Sequence, residues 1–393
     1  MNSAAPRPHA LDRAAGIAFL LLVASLPGAI APMGIATALC GALTLAAMAR
    51  AGRFTWPATP VNRAAFAWMG ALVLASAFSL DPAGSWPRIT KGFFPLLVGL
   101  AALHARERRA GERALAVYFA ASALVAVIGI ALWVAHGAGF GSRAQGLTTS
   151  YMTFAGQLSL MVPVAFSVAV SEKRPRWRRG AALAGVLALA ALAVTFTRSA
   201  WIATVVACAV VAGVWSPLAV GGIALVAAAL FAFAPGTFGA RLRSIFDPHN
   251  PWNQQRVLMW GAGLRMFRDH PWTGVGLQDL HRLYDQYRAP EATERVGHMH
   301  NIYVQIAANL GLAGLAAFAW LYTSIVRTTT IALRPQLARR GLAAGLRVGV
   351  LATLIGFLFA GLFEWNFGDE ELLYGLYTLA GLAWAARSWD SET

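Results

Sequence analysis

The chain has 393 residues, of which 58% are hydrophobic and only 12% carry a charged side chain. Its mean hydropathy of +0.57 lies outside the range typical of soluble domains, so we expect lipid to be its main solvent. The net charge of +15 does not indicate nucleic acid as a partner, because the basic residues form short clusters between apolar runs without interleaved aromatic side chains.

Most of the chain consists of apolar runs joined by short connections. They lie at 14–31, 33–49, 64–80, 89–104, 114–136, 151–170, 181–196, 200–214, 217–234, 299–325, 344–363 and 372–387. A transmembrane helix needs about 20 mostly apolar residues, so the sequence predicts an all-α polytopic membrane protein with about 12 transmembrane helices. The first run is too long for a signal peptide, and we expect it to remain as an anchor.

The arginine-rich connections predict the orientation in the membrane. Short basic loops stay in the cytoplasm, and they alternate consistently with the other connections if both termini are cytoplasmic. The chain then divides into N-terminal transmembrane helices (1–234), a long periplasmic loop with helices (235–298) and C-terminal transmembrane helices (299–393). The long loop is itself rich in arginine, but loops of this length escape the rule. Within it, residues 252–268 read as an amphipathic helix.

Several basic residues on the outer side are candidates for binding phosphate, because a planar guanidinium can donate two parallel hydrogen bonds to it. Arg198 lies between two apolar runs at the membrane boundary, where contact with ordinary lipid phosphate is the alternative. Arg256 and Arg265 lie in the amphipathic helix, with surface ion pairs as the alternative. Nine residues turn an ideal helix by about 180°, so these two cannot face one phosphate, and Arg256 is preferred. Lys91, near the start of a membrane run, is a further cationic candidate, with a structural role as the preferred alternative.

A glycine-containing turn follows the amphipathic helix. Gly274 and Gly276 would let backbone N–H groups approach an anion. The turn lacks the strand–turn–helix context of a phosphate loop, so a structural turn is the preferred interpretation.

Two histidines stand where the long loop returns to the membrane. Histidine can act as a base near neutral pH, and we hypothesise that His300 is a general base, with a structural boundary histidine as the alternative. We expect no metal and no cofactor, because His298 and His300 have no clear third ligand in the sequence.

Three motifs, in this order, resemble the O-antigen ligase and polymerase superfamily. They are Thr195-x-x-Arg198-Ser199, then Arg256-x-x-x-Trp260 with Pro271-x-x-Gly274-Val275-Gly276, then His300-Asn301 with Asn309-Leu310-Gly311-Leu312-Ala313-Gly314. The resemblance covers the region from near 180 to 320. It implies a membrane-embedded, GT-C-like glycosyltransferase in the bacterial inner membrane. Such an enzyme transfers a glycan from undecaprenyl diphosphate to a hydroxyl of lipid A-core oligosaccharide at the periplasmic face.

The resemblance also implies roles for individual residues. The essential histidine of the family falls on His300, and its diphosphate-binding arginines fall on Arg198 and on Arg256 or Arg265. Further candidates are Lys91 for the diphosphate, and Asn301 and Glu364 for the acceptor or for support. A base would take the proton of the attacking hydroxyl, and the arginines would stabilise the departing diphosphate without a metal.

Two other functions remain open from the sequence. An O-antigen polymerase would share the donor and the motifs, and would differ in using a second lipid-linked glycan as acceptor. A transporter of a lipid-linked anionic glycan would place ionisable residues near the bilayer midplane, whereas the middles of these runs are almost uncharged.

Overall fold

The computed structural model describes residues 9–295 and 297–389, and the regular secondary structure of these ranges is helical throughout. The α-helices are α1 (Ala10–Ser25), α2 (Ile30–Arg50), α3 (Val61–Ala77), α4 (Pro82–Ser85), α5 (Leu96–His104), α6 (Arg108–Ala135), α7 (Tyr151–Ser171), α8 (Pro175–Ala193), α9 (Arg198–Trp215), α10 (Pro217–Phe233), α11 (Gly236–Arg243), α12 (Pro251–Asp269), α13 (Leu280–Tyr287), α14 (Ile302–Thr330), α15 (Leu333–Arg339), α16 (Leu342–Ala360) and α17 (Glu370–Ala385). Short 3-10 helices lie at Trp86–Phe93, Phe140–Ser142 and Asn366–Gly368.

Several helices are apolar and long enough to cross a membrane, as expected for a multi-pass membrane protein. Within the described ranges, six segments meet this criterion: α2, α6, α7, α9, α16 and the stretch Ile302–Arg339. A seventh is added if α10 and α11, bent by 111° relative to each other, are counted together. The predicted number of about 12 spans stays a prediction, because other apolar helices, such as α1 with 16 residues, are shorter than a typical span.

The apolar runs of the sequence correspond to helices, although their boundaries differ in places, as two of the runs show. The run at 89–104 is not one helix: it is divided between the 3-10 helix Trp86–Phe93 and α5, with Pro95, which has no N–H to donate, directly before α5. The run at 299–325 becomes helical only at Ile302, so the two histidines precede the helix. The amphipathic helix expected at 252–268 is confirmed as α12.

Helix α14 is broken at Gly311, where φ is 62° and ψ is −156°. The turn at 271–276 packs against the break: the N–H groups of Val275 and Gly276 donate to the carbonyls of Ala308 and Asn309, at 2.8 and 2.9 Å. On the other side of the break, Leu312 N–H donates to Pro271 O at 2.8 Å. The turn therefore satisfies the backbone groups that the break leaves without helical partners, as non-helical backbone at membrane depth requires.

Helices α7 and α16 pack against each other at the centre of the bundle. In the 18-residue apolar stretch of each helix, 72% and 78% of the residues are buried inside the protein. The first residues of α7 and α9, the histidines that precede α14 and the loop after α16 line the same two cavities, so they meet at one end of the bundle. We call this end the site end. The long segment that contains α11, α12 and α13 also packs there, through α12 against α14.

Candidate active site

The start of α14 is tied to the loop that follows α16. Asn301 caps α14, its Oδ1 accepting from the N–H groups of Tyr303 and Val304 at 2.9 and 3.0 Å. Its Nδ2 donates to Leu362 O at 2.9 Å, and Ile302 N–H donates to Gly361 O at 2.7 Å. These contacts bring the residues just before α14 against the residues just after α16, although about sixty positions of sequence separate them. Asn301 therefore has a positioning role in this structure.

His300 and Glu364 are brought together by this junction. His300 Nδ1 lies 2.7 Å from Glu364 Oε1, and Glu364 Oε2 lies 3.2 Å from Arg256 Nη2. The side chain of Glu364 is only 13% exposed. Burial raises the pKa of Glu364, but the hydrogen bond with His300 and the positive charge of Arg256 outweigh burial, so the pKa is lowered overall. Glu364 is therefore a carboxylate that accepts from Nδ1–H of His300, and Nε2 is the ring nitrogen of His300 that Glu364 does not contact.

The backbone of His300 is strained. Its φ of 45° lies in the left-handed region, which costs a non-glycine residue about 1 kcal/mol. Such strain persists where the surrounding contacts determine the conformation. Here the contacts are the cap of α14 on one side and the Glu364 carboxylate on the other.

A cavity of about 360 Å³ opens beside His300 and Glu364. We call it the basic cavity, because four of the side chains that line it are arginines. They are Arg143, Arg198, Arg241 and Arg256. Glu294 and Glu364 are the carboxylates among its lining residues, so positive charge predominates. The cavity is therefore suited to a dianionic group such as a diphosphate.

Arg198 is held rigidly at the wall of this cavity. It is the first residue of α9 and is only 7% exposed. Its Nη1 donates to the carbonyl and hydroxyl oxygens of Ser244, at 2.6 and 3.1 Å, and its Nη2 donates to Asn253 Oδ1 at 3.0 Å. All three acceptors are uncharged, so these contacts orient the guanidinium without neutralising it.

Two arginines of the cavity were not selected by the sequence motifs. The guanidinium of Arg143 lies 3.8 Å from the centre of the Phe140 ring and 4.4 Å from that of Tyr151. Arg241 donates through Nε to Phe196 O at 3.3 Å. Their positions in outer segments near aromatic residues were visible in the sequence, but many other loop arginines share that property.

The structure does not bring Arg265 and Lys91 into the basic cavity. Arg265 donates through Nε and Nη2 to Tyr287 O, at 2.9 and 2.6 Å, and so joins α12 to the end of α13. This placement agrees with its position half a turn around the helix from Arg256. Lys91 donates to Gly368 O at 3.1 Å and pairs with Glu370 at 3.4 Å. The predicted diphosphate contacts of these two residues are therefore not supported by their placement.

The glycine turn also differs from an anion-binding loop. The N–H groups of Val275 and Gly276 are used by the broken helix α14, as described above. The structural interpretation of this turn is therefore the one that the structure supports.

The expectation that His298 and His300 have no third ligand nearby is wrong. Ligand atoms of His298, His300 and Glu364 lie within 4.8 Å of one another, close enough to hold a metal ion. The sequence did not indicate Glu364 as a neighbour of these histidines, because it lies 64 residues from His300. However, Glu364 already binds His300 and Arg256, and a guanidinium beside the cluster opposes a divalent cation.

His298 and His300 also contact each other. Their ring centres are 4.1 Å apart, whereas side chains two positions apart on a helix point to different faces. The reason is that residues 298–300 are not helical. Burial, together with the neighbouring His300, lowers the pKa of His298 to about 4, so His298 is neutral near pH 7.

The family comparison falls on the same region. A sequence model of the family described as O-Antigen ligase matches residues 183–319, from within α8 to within α14. No protein with a curated description matches the chain. The matched segment contains Arg198, Arg256 and His300, whereas Glu364 lies beyond it. The match confirms the family resemblance predicted from the motifs and suggests activity of the ligase or polymerase type.

Proposed function

We propose that this chain is an O-antigen ligase, and the match of residues 183–319 to the model of the O-Antigen ligase family supports this proposal. In this proposal it transfers a glycan from undecaprenyl diphosphate to a hydroxyl of lipid A-core oligosaccharide. The observation that carries the proposal is a histidine held by a buried carboxylate at the wall of a cavity lined by four arginines. This arrangement combines a base with a site for a diphosphate leaving group.

The reaction is a single group transfer. The oxygen of the acceptor hydroxyl forms a bond to the anomeric carbon of the donor glycan, and the bond from that carbon to the diphosphate oxygen breaks. Nε2 of His300 takes the proton of the hydroxyl, and the bonding electrons leave with undecaprenyl diphosphate. A general base of this kind contributes about 10²–10⁴-fold to the rate.

Glu364 acts on His300, and the arginines act on the leaving diphosphate. Glu364 fixes the tautomer of His300 and stabilises the imidazolium that forms during transfer. The fixed guanidinium of Arg198 is directed at the charge that develops on the leaving diphosphate, as preorganised electrostatic stabilisation requires. Arg143, Arg241 and Arg256 add positive charge around the same cavity.

We propose that the site end faces the periplasm and that the protein lies in the bacterial inner membrane with both termini in the cytoplasm. Support comes from the arginine-rich short loops of the sequence, which flank the opposite ends of the helices. In this arrangement about 12 helices cross the membrane, and residues 235–298 form the periplasmic loop between the two transmembrane parts. The partners are then the lipid-linked donor, the lipid A-core acceptor and membrane lipids.

The acceptor distinguishes a ligase from a polymerase, since both use the same donor. The test is to incubate the purified protein with undecaprenyl diphosphate-linked glycan and either lipid A-core, a second lipid-linked glycan, or no acceptor. We expect product only with lipid A-core. Elongation of the lipid-linked glycan would instead assign a polymerase, and the absence of any joined product would reject transfer activity.

A further inference from the structure

A second cavity, of about 480 Å³, lies directly beside the basic cavity. Both are lined by Met152, Thr197, Ser199 and Glu364, so these residues form a shared wall. We call the second one the acidic cavity. Besides the shared Glu364, its acidic side chains are Asp369, Glu370 and Glu371. Further polar groups come from Thr153, Ser159 and His298.

The acidic cavity has polar groups on several sides. Thr153 Oγ1 donates to Asp369 Oδ2 at 2.6 Å. Burial and a hydrogen bond with Glu371 raise the pKa of Asp369 to about 7, so this carboxyl can share a proton with its neighbour. Two further polar atoms of its wall, His298 Nδ1 and Asn366 Oδ1, are buried and have no hydrogen-bond partner within residues 9–295 and 297–389. Buried polar atoms without partners are rare in folded proteins and point to a missing ligand or water.

The charges of the two cavities separate the two substrates of the proposed transfer. A diphosphate is attracted by the four arginines of the basic cavity. The acidic cavity disfavours it, because Asp369 and Glu371 keep negative charge even when they share one proton, whereas Lys91 pairs with Glu370. The donor diphosphate therefore occupies the basic cavity and leaves the acidic one free. His300 lines the basic cavity, His298 lines the acidic cavity, and the two rings are in contact.

We propose that the acidic cavity binds the neutral sugar residue that offers the acceptor hydroxyl, with Asp369 and Thr153 as binding residues. This inference rests on the proposed transfer function. Sugar hydroxyls both donate and accept hydrogen bonds. The cavity offers carboxylates that accept, Ser and Thr hydroxyls that do both, and a neutral imidazole that does both. Its volume is in the range of small-molecule sites. The same carboxylates disfavour a phosphorylated or acidic sugar at this position.

The test measures the initial rate of transfer by the full-length protein in lipid nanodiscs, with the concentrations of undecaprenyl diphosphate-linked glycan and lipid A-core varied independently. The variants are Asp369→Asn, Thr153→Val and Glu371→Gln. The control is Glu291→Gln, an exposed carboxylate of the long loop. A hydrogen bond to a charged group contributes roughly 10–150-fold to affinity. We therefore expect Asp369→Asn to raise the KM for lipid A-core by about tenfold or more, with the KM for the donor unchanged.

An unchanged acceptor KM in all three variants, or an equal rise in the donor KM, would overturn the inference. If Asp369→Asn does not fold, Thr153→Val and Glu371→Gln decide the same question. Direct binding of lipid A-core to the same variants separates this inference from the proposed function. Loss of binding in the Asp369 variant of a protein that shows no transfer would keep the acceptor site and reject the ligase assignment. Normal transfer by an Asp369 variant that binds lipid A-core as the parent protein does would reject the acceptor site and keep the ligase assignment.

Discussion

The carboxylate of Glu364 contacts a different cationic or proton-donating group through each of its oxygens. Oε1 accepts from His300 Nδ1 and from the N–H of Trp365, and Oε2 pairs with Arg256. Since one imidazole nitrogen is held by the carboxylate, the other is free to accept a proton from a hydroxyl. The same carboxylate limits how far the side chain of Arg256 can move toward a ligand. Glu364 thus links the proposed base to the proposed diphosphate site.

At Arg198, we predict that replacement by lysine is nearly as damaging as replacement by alanine. The planar guanidinium donates to Ser244 and Asn253 in fixed directions, and an ammonium on a flexible stem cannot reproduce that orientation. Both Arg198→Lys and Arg198→Ala should weaken donor binding by roughly 10–100-fold, the value of one or two charge-assisted contacts. The measurement is binding of the undecaprenyl diphosphate-linked donor to purified variants.

Arg268→Lys is the matched control for this prediction. Arg268 lies on the same helix as Arg256, but its side chain is 79% exposed, so the substitution should leave donor binding as in the parent protein. A fully active Arg198→Lys variant would mean that Arg198 contributes only its charge.

We also predict that transfer does not require a divalent metal, although His298, His300 and Glu364 are close enough to bind one. Binding a cation there would break the His300–Glu364 hydrogen bond and place the cation beside the guanidinium of Arg256. Transfer should therefore survive extensive chelation with EDTA. Loss of activity on chelation that one specific metal restores would contradict this prediction and assign the three residues as ligands.

The break in α14 is the feature of a single element that most directly shapes the site. It allows the turn at 271–276 to lie against the helix that begins just after His300. Asn309 contributes through its side chain as well, donating from Nδ2 to Gly276 O at 2.8 Å. The turn connects this helix to α12, which carries Arg256. The relative placement of the base and one diphosphate arginine therefore depends on this contact.

Gly274→Ala tests the importance of that contact. Gly274 has a φ of 66°, and a Cβ atom there would overlap the backbone of Asn309 and Leu310. Neither the strain nor the backbone overlap can be relieved by a side-chain rotation, so we expect a loss of stability of more than about 2 kcal/mol and little folded protein. The measurement is thermal unfolding in detergent. Gly221→Ala, in a helix with open space around it, should be neutral or slightly stabilising. Equal stability of the two variants would show that the turn does not hold α14 in place.

Sequence periodicity and composition were sufficient to predict the helices, but they could not predict how the residues between the helices pack together. The apolar runs predicted the helices because a span must be apolar along its length, and the helical period correctly separated Arg256 from Arg265. The pairing of His300 with Glu364 was not predictable, because no local pattern relates residues 64 positions apart. The break in α14 at Gly311 was equally unpredictable, since the backbone groups that it leaves without helical partners bond to the distant turn at 271–276. Arg143 and Arg241 were missed because their selection depends on which loop packs at the site end.

At the scale of the whole molecule, the two cavities lie side by side at one end of the helical bundle. The arginines line one, the carboxylates line the other, and Glu364 stands in the shared wall. In the proposed transfer, this arrangement would bring two lipid-linked substrates to the proposed base from the same side of the membrane. It also requires that this end faces the compartment in which both substrates are exposed.

The orientation can be tested by labelling single cysteines in intact cells. In a background in which Cys40 and Cys208 are replaced by serine, Arg268→Cys on the exposed side of α12 should react with a membrane-impermeant maleimide. Arg176→Cys, in an exposed position at the start of α8, should react only after the cells are permeabilised, because its basic loop is predicted to be cytoplasmic. The reverse pattern of labelling would invert the topology and place the site end in the cytoplasm.

The most direct test of the account separates donor binding from transfer in His300→Ala and Glu364→Gln. The parent protein and both variants would be loaded with undecaprenyl diphosphate-linked glycan and mixed with lipid A-core, and the rate of conversion of bound donor would be followed. We expect both variants to bind the donor with nearly unchanged affinity. Conversion should slow by about 10²–10⁴-fold in His300→Ala, the usual contribution of a general base, and by a smaller factor in Glu364→Gln. If His300→Ala abolished donor binding while any bound donor reacted at the parent rate, His300 would be a binding residue and the proposed mechanism would be wrong.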